Sequence, residues 1–430
     1  MGTPSRLRLS VIILLLVIAS ASTRAQERDT LSITKEIESP KITSDSILVE
    51  FLNELHIPIT YNNKTKLLKT GTEKFLDLFA EIRKAKHNIH LEYFNFRNDS
   101  IANALFDLLA SKAKQGVKIR VLFDAFGNWS NDQPLKEKRL DSIRQRGIEI
   151  VKFDPFRFPY INHALHRDHR KIAVIDGKVA YIGGMNVADY YIKGLPKIGK
   201  WRDMHIRIEG GAVKYIQNIF LLTWNSTTKQ NIRGEIYYPE ETDTATANKE
   251  EIAIVDRAPN KTPKQLRHTY AKAIESAQKS IQIVNPYFMP THSIREALKS
   301  AIKRGIKVEI MISSKSDIPF TPEASFYLVH KLMKRGASIY LFNGGFHHSK
   351  VMMVDSLFCT VGSANLNSRS LRYDYEINAF IFDKKTTKEL SDIFEADKSF
   401  STLLTPQRWK QRSKWKRLVG WIANIFTPFI

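Results

Sequence analysis

The chain carries one eighteen-residue pattern twice, and no other feature of the sequence restricts its fold as tightly. HRKIAVIDGKVAYIGGMN begins at His169, and HSKVMMVDSLFCTVGSAN begins at His348. The two share His169/His348, Lys171/Lys350, Asp176/Asp355, Gly183/Gly362 and Asn186/Asn365, each pair 179 residues apart. At roughly one in twenty per position, five fixed matches arise by chance about once in three million starts. The repetition runs upstream as well. Ala113 to Asp124 (AKQGVKIRVLFD) parallels Ala301 to Ser313 (AIKRGIKVEIMIS), each reading as a helix end, a glycine turn and a β-branched strand. His87 to Phe94 parallels Lys279 to Phe288, both as buried strands.

Helical periodicity follows those strands near Ile101 to Gln115 and Ser293 to Arg304. Strands Ile148 to Phe153 and Ser338 to Phe342 come after the glycines at 147 and 336. Strands alternating with helices predict an α/β fold with a largely parallel or mixed sheet. Two such halves in one chain predict an intrachain pseudo-dimer. The expected segments are an N-terminal signal or anchor over 1–25, a linker over 26–56, a first lobe over 57–240, a second lobe over 241–404 and a tail over 405–430. The seam falls near Pro239 to Ala247, a polar stretch rich in Thr and Glu.

Residues two apart in a strand face the same side. His169 with Lys171, and His348 with Lys350, would then project together into a cleft between the halves, with Asn186 and Asn365 adding amide donors. That set suits a phosphodiester. One imidazole can attack phosphorus and a second can protonate the leaving alkoxide. Two ammonium groups can stabilise the charged transition state without a metal or other cofactor. A nucleophilic histidine needs a carboxylate to hold its tautomer. Glu376 follows His348 by 28 residues and Asp203 follows His169 by 34, each at the start of an apolar alternating strand. Asp176 and Asp355 enter the candidate catalytic set as motif members, with turn capping as their other reading. His87, His163, His166, His205 and His347 read as ordinary histidines.

Lys plus Arg number 66 against 44 Asp plus Glu, a formal charge of +22. Such a balance favours anionic partners, either nucleic acid or acidic phospholipid headgroups. The single cysteine, Cys359, excludes an intramolecular disulfide and a cysteine-based metal cluster. Near the N-terminus, Arg6 and Arg8 precede the apolar run Leu9 to Ala19, followed by small residues. This pattern reads as an export signal, with an uncleaved anchor as the alternative. Either places the catalytic part outside the cytoplasm, at the cell envelope.

The duplicated motifs resemble the phospholipase D superfamily, whose pattern is HxKx4Dx6G(S/G)xN in two copies. Within it the chain is most similar to bacterial cardiolipin synthases, from about Ile57 to Leu404. Supporting segments are GGMNVADYY (Gly183 to Tyr191), KWRDMHIRIEGGAV (Lys200 to Val213), NPYFMP (Asn285 to Pro290) and GSANLNSRSLRYDYEINAF (Gly362 to Phe380). The resemblance implies two similar α/β lobes with the active site between them. It implies transfer of a phosphatidyl group from one phosphatidylglycerol to another with release of glycerol, and His169 is assigned as the nucleophile. The first motif departs in carrying Gly184 where serine is common, which removes a hydroxyl expected near the phosphate. Only one short apolar run stands where family members commonly begin with two transmembrane helices.

The tail reads WKQRSKWKRLVGWIANIFTPFI from Trp409. Trp415, Leu418, Ile422, Ile425 and Phe429 recur at helical spacing, and Lys410, Arg412, Lys414, Lys416 and Arg417 crowd its front end. A basic helix with tryptophans on its apolar side suits an anionic bilayer interface. A helix docked on the core is the other reading. The expected partners are therefore phosphatidylglycerol and a membrane surface, with no obligate protein partner. A nuclease would use the same catalytic residues and a lipid hydrolase would admit water as acceptor. The export signal, the tail and the cardiolipin synthase-like segments speak against nucleic acid.

Overall fold

The computed structural model describes residues 42–155, 165–240, 250–318 and 321–426. The expected signal segment, residues 26–41 of the expected linker, residues 241–247 of the expected seam, and His163, Pro428 and Phe429 lie outside them. The first half supplies β1 (Ile59–Leu68), β2 (Asn88–Tyr93), β3 (Lys118–Asp124), β4 (Glu149–Phe153), β5 (Lys171–Ile175), β6 (Val179–Gly183), β7 (Trp201–Arg202) and β8 (His205–Gly210). The second supplies β9 (Glu250–Arg257), β10 (Ser280–Val284), β11 (Lys307–Ser313), β12 (Ser338–Phe342), β13 (Phe346–His347), β14 (Val351–Val354), β15 (Phe358–Gly362), β16 (Glu376–Phe382) and β17 (Ser401–Leu403).

Fifteen of these strands form one mixed sheet in the order β17-β12-β11-β10-β14-β15-β16-β9-β1-β8-β6-β5-β2-β3-β4. Read outward from the centre, β1-β8-β6-β5-β2-β3-β4 and β9-β16-β15-β14-β10-β11-β12 are the same series. The duplication seen in the motifs thus extends to topology. The halves join through antiparallel pairing of β1 with β9, so they share one sheet rather than forming separate bodies. Thr43–Ile430 forms a single compact unit.

Helices cover both faces, as a sheet with parallel strands requires. Leu78 and Ile82 of Gly71–Lys84 and Leu105 and Leu109 of Ser100–Lys114 bury against Ile89, Val121 and Ala173. On the opposite face, Ile216 of the helix Ala212–Thr228 and Leu390 and Phe394 of Lys384–Lys398 pack with Ile172, Val174, Met353 and Val361. The helix starts follow short polar caps. The Asp99 and Asp383 carboxylates accept from Ala102 N and Thr386 N.

Asp176 and Asp355 are not active-site groups. Each lies at the far end of its strand from the motif lysine, in the turn to the next strand. Asp176 accepts from the backbone N–H groups of Lys86, His87 and Asn88 at 2.7, 2.7 and 2.8 Å. Asp355 accepts from those of Gln278, Lys279 and Ser280 at the same three distances. A carboxylate accepting three N–H bonds ties the turn to the strand beside it. That is why the motif holds an aspartate there.

In the tail, the helix Lys414–Phe426 packs along Thr321–Met333. A Cβ on Gly420 would meet the Glu323 carbonyl at 2.6 Å, so glycine allows the close approach. Ala423 joins the first-half core. The docked reading holds for this face. Trp415 and Trp421 nevertheless remain 69% and 51% exposed, with Leu418, Ile422 and Ile425 beside them. No helix among the described residues is long and apolar enough to cross a membrane.

Candidate active site

Both motif histidines sit just ahead of a central strand, and backbone bonds pin each to the other half. His169 N donates to Tyr375 O at 3.0 Å, and Tyr375 N to Arg167 O at 2.8 Å. In the mirrored place, His348 N donates to Arg202 O at 2.6 Å, and β13 pairs in parallel with β7. Tyr375 and Arg202 immediately precede Glu376 and Asp203. Each motif is thereby locked beside the carboxylate of the opposite half.

The side chains follow this crossing. His169 Nδ1 lies 2.9 Å from Glu376 Oε1, and His348 Nδ1 lies 2.6 Å from Asp203 Oδ2. Sequence order had set each carboxylate after the histidine of its own half, whereas the structure gives it to the other. A proton on Nδ1 that donates to the carboxylate leaves the Nε2 lone pair free. Lys350 Nζ also lies 2.8 Å from His348 Nδ1. The shorter Asp203 contact fixes the Nδ1 proton, and Lys350 donates instead to the His348 carbonyl. Lys171 likewise donates to the His169 carbonyl.

The electrostatics are those of a largely buried, cationic pocket. Burial drives the His169 imidazole down to about 4, against the raising pull of Glu376. Burial, aided by Lys350, holds His348 well below the usual histidine range. Both imidazoles are therefore neutral at pH 7. Burial lowers Lys171 to about 7 and Lys350 to about 8, partly countered by Glu376 and Asp203. It raises Asp203 to about 6, countered by Lys350 and the Met204 N–H. Burial also pushes Glu376 up, but His169, Lys171 and Ser363 together leave it below the usual carboxylate range. The unequal pair sets an expected pH profile. kcat/KM rises as pH climbs through about 6, where Asp203 ionises, and falls above about 7 to 8 as the lysines lose their protons. A profile flat from about pH 5 to 9 contradicts this assignment.

Asn186 and Asn365 are both buried. Asn186 Nδ2 is 3.4 Å from the Tyr191 hydroxyl, and its Oδ1 accepts from Asn95 N at 3.4 Å. Asn365 Oδ1 is buried without a hydrogen-bond partner. Rings line the imidazoles. Phe94 lies 5.1 Å from His169, while Trp201, Phe346 and Tyr287 lie 5.3, 5.5 and 5.9 Å from His348.

A family model described as the cardiolipin synthase, phospholipase D-like domain matches residues 78–194 and 270–398. The chain belongs to that family. It is 36% identical over 389 residues to the major cardiolipin synthase of Bacillus subtilis, covering 90% of this chain and 79% of that protein. It is 37% identical over 372 residues to a cardiolipin synthase of Oceanobacillus iheyensis, covering 86% and 76%. The crystal structure of phosphatidylserine synthase from Haemophilus influenzae superposes with a TM-score of 0.67 at 14% identity, covering 89% of this chain and 99% of that one, a likeness of fold.

Family membership accounts for the motif residues, while several neighbours came only from the structure. Ser363 Oγ donates to the Glu376 carboxylate rather than facing a phosphate. Gly184 holds the matching place, and a Cβ there would lie 2.2 Å from Asp203 Oδ1. The residue at this motif position thus serves the carboxylate. His205 and His347, read as ordinary histidines, are both wholly buried. His347 Nε2 lies 3.1 Å from Asp397 Oδ2. The aromatic wall left no periodic signal, because its members come from four separate segments.

Proposed function

We propose that the protein is a phosphatidyltransferase that joins two phosphatidylglycerol molecules into cardiolipin and releases glycerol. The observation that carries this reading is the crossed pair of histidine–carboxylate contacts with two buried lysines beside them. His169 Nε2 attacks the donor phosphorus, and the P–N bond forms as the P–O bond to glycerol breaks. Glu376, held ionised, stabilises the developing imidazolium. The anionic diester offsets the field of Lys171 and Lys350, so His348 carries the proton that the departing glycerol oxygen takes. In the second step His348 takes the proton of the acceptor's terminal hydroxyl. That oxygen attacks phosphorus and the P–N bond breaks. Lys171, Lys350 and the Asn365 amide hold the non-bridging oxygens. The ring wall supports a lipid alcohol over water as acceptor, since it surrounds the base with apolar surface. The names of the relatives support the choice of lipid.

The outward face of Lys414–Phe426 supports contact with an anionic membrane. Its exposed tryptophans and aliphatics adjoin the exposed Lys410, Lys414 and Lys416. Incubation with phosphatidylglycerol vesicles, with lipid products resolved by mass spectrometry, tests both points. Cardiolipin and glycerol in equal amounts are expected. A Trp415→Ser/Trp421→Ser variant should sediment less with those vesicles while still turning over detergent-dispersed lipid. Phosphatidic acid as the sole product would make the protein a hydrolase, and no lipid turnover would remove the lipid reading.

A further inference from the structure

Between each motif histidine and its lysine stands one residue that the HxK pattern leaves open. It is Arg170 in the first half and Ser349 in the second. Arg170 is 1% exposed. Its five N–H groups meet five acceptors. Nε donates to the Glu376 carbonyl at 3.4 Å. Nη1 donates to Glu92 Oε1 at 3.4 Å and to Thr223 Oγ1 at 3.0 Å. Nη2 donates to Asp256 Oδ2 at 2.9 Å and to the Arg257 carbonyl at 3.3 Å. Glu92 and Thr223 belong to the first half, whereas Asp256, Arg257 and Glu376 belong to the second. Burial pulls the guanidinium down, but Glu92, Asp256 and Asp168 together leave it above its ordinary value, so it is charged.

These contacts close around the His169–Glu376 pair. Glu376 and Arg257 face each other across β16 and β9, so Arg170 holds both carbonyls of one cross-strand pair. His169 N already holds the Tyr375 carbonyl. Successive carbonyls of the second half, at Tyr375 and Glu376, are thus tied to successive residues of the first motif. The 2.9 Å contact between His169 Nδ1 and Glu376 Oε1 lies between those two ties. The other half has no such clamp. Ser349 is wholly buried, and its hydroxyl has no partner among the described residues. Glu92 pairs with Ile172, and in the matching place Val284 pairs with Val351, so an aliphatic side chain replaces the carboxylate. Serine and valine therefore fill the mirrored places with no buried charge. Apolar packing is often at least as stable as a buried ion pair. The guanidinium in one half alone thus points to a role in the chemistry of that half.

We propose that Arg170 is a positioning residue for the nucleophile: it clamps the start of β16 to the start of β5, so that Glu376 keeps the His169 Nδ1 proton and Nε2 stays aimed at phosphorus. An attacking atom must line up with the bond that breaks, and a misplacement of about 1 Å can cost about 10²-fold. The acid/base histidine exchanges only a proton and carries no equivalent clamp. The activity readout rests on the transferase reading above, whereas the imidazole readout does not.

The test uses full-length protein carrying Arg170→Lys or the triple change Arg170→Met/Glu92→Gln/Asp256→Asn, with Ser349→Ala as the control. Lysine keeps the charge but has only three donors, so it cannot hold five acceptors. The triple variant removes the buried charges together and leaves no carboxylate stranded. In both, kcat on phosphatidylglycerol vesicles should fall about ten- to a hundredfold with KM little changed. The two Nδ1 protons bonded to carboxylates give low-field ¹H resonances, assigned by their loss in His169→Ala and His348→Ala. The His169 resonance should shift or broaden in both Arg170 variants while that of His348 stays in place. Ser349→Ala should leave turnover and both resonances unchanged. An unmoved His169 resonance or an unchanged kcat would overturn the proposal. So would equal loss of both resonances, which is general loosening, or failure of both variants to fold, which makes the residue structural. Absence of lipid turnover in the unaltered protein would sink the transferase reading alone, leaving the two resonances to decide on Arg170.

Discussion

His169→Ala and His348→Ala are each expected to lower kcat by about 10³-fold or more, with the unfolding temperature little changed. Both imidazoles lie at the cleft, with 15% and 8% of their side-chain surface exposed, so truncation empties a solvent-facing site rather than the core. Removing His169 removes the atom that bonds to phosphorus. Removing His348 leaves the glycerol oxygen to depart as an alkoxide. The two act in one covalent cycle, so the double variant should be scarcely worse than either single one. Turnover of labelled phosphatidylglycerol, with thermal unfolding alongside, checks this. Full activity in either variant would refute the two-histidine cycle.

The crossed carboxylates carry the second large effect. Glu376→Gln and Asp203→Asn keep shape but remove the charge that fixes each Nδ1 proton, and each should cost about 10²- to 10⁴-fold. They should differ by step. A phosphatidyl donor with a p-nitrophenol leaving group needs no proton on departure. With it, Asp203→Asn should keep the initial burst of p-nitrophenol, because only the His348 side is damaged. Glu376→Gln should lose the burst, because its lesion falls on His169. The reverse pattern would make His348, oriented by Asp203, the nucleophile and His169 the acid/base.

The duplication was legible because five side chains recur at one fixed offset. The α/β class was legible because each motif follows helix–glycine–strand units whose bounds the structure shifts by only a few residues. Lys118–Asp124 and Lys307–Ser313 lie within the stretches read as strands. Asp203 and Glu376 could be nominated from their place before apolar strands. Their partners could not, because the crossing depends on backbone bonds from His169 to Tyr375 and from His348 to Arg202. Such contacts span more than 140 residues and leave no local pattern. The burial of Lys74 in the helix Gly71–Lys84 was invisible for a related reason. A lysine in an amphipathic helix reads as solvent-facing unless the packing of that helix is known. The tail combined both of its readings, since one helix can dock through Gly420 and Ala423 and still turn its tryptophans outward.

The most direct test of the covalent cycle is mass spectrometry of His348→Ala after a quenched incubation with the p-nitrophenyl phosphatidyl donor. Without its acid/base partner the second step should stall, so a phosphatidyl adduct on a peptide containing His169 is the expected result, with one equivalent of p-nitrophenol released. No adduct, an adduct on another residue, or the same adduct in His169→Ala would contradict a phosphatidyl-histidine at position 169.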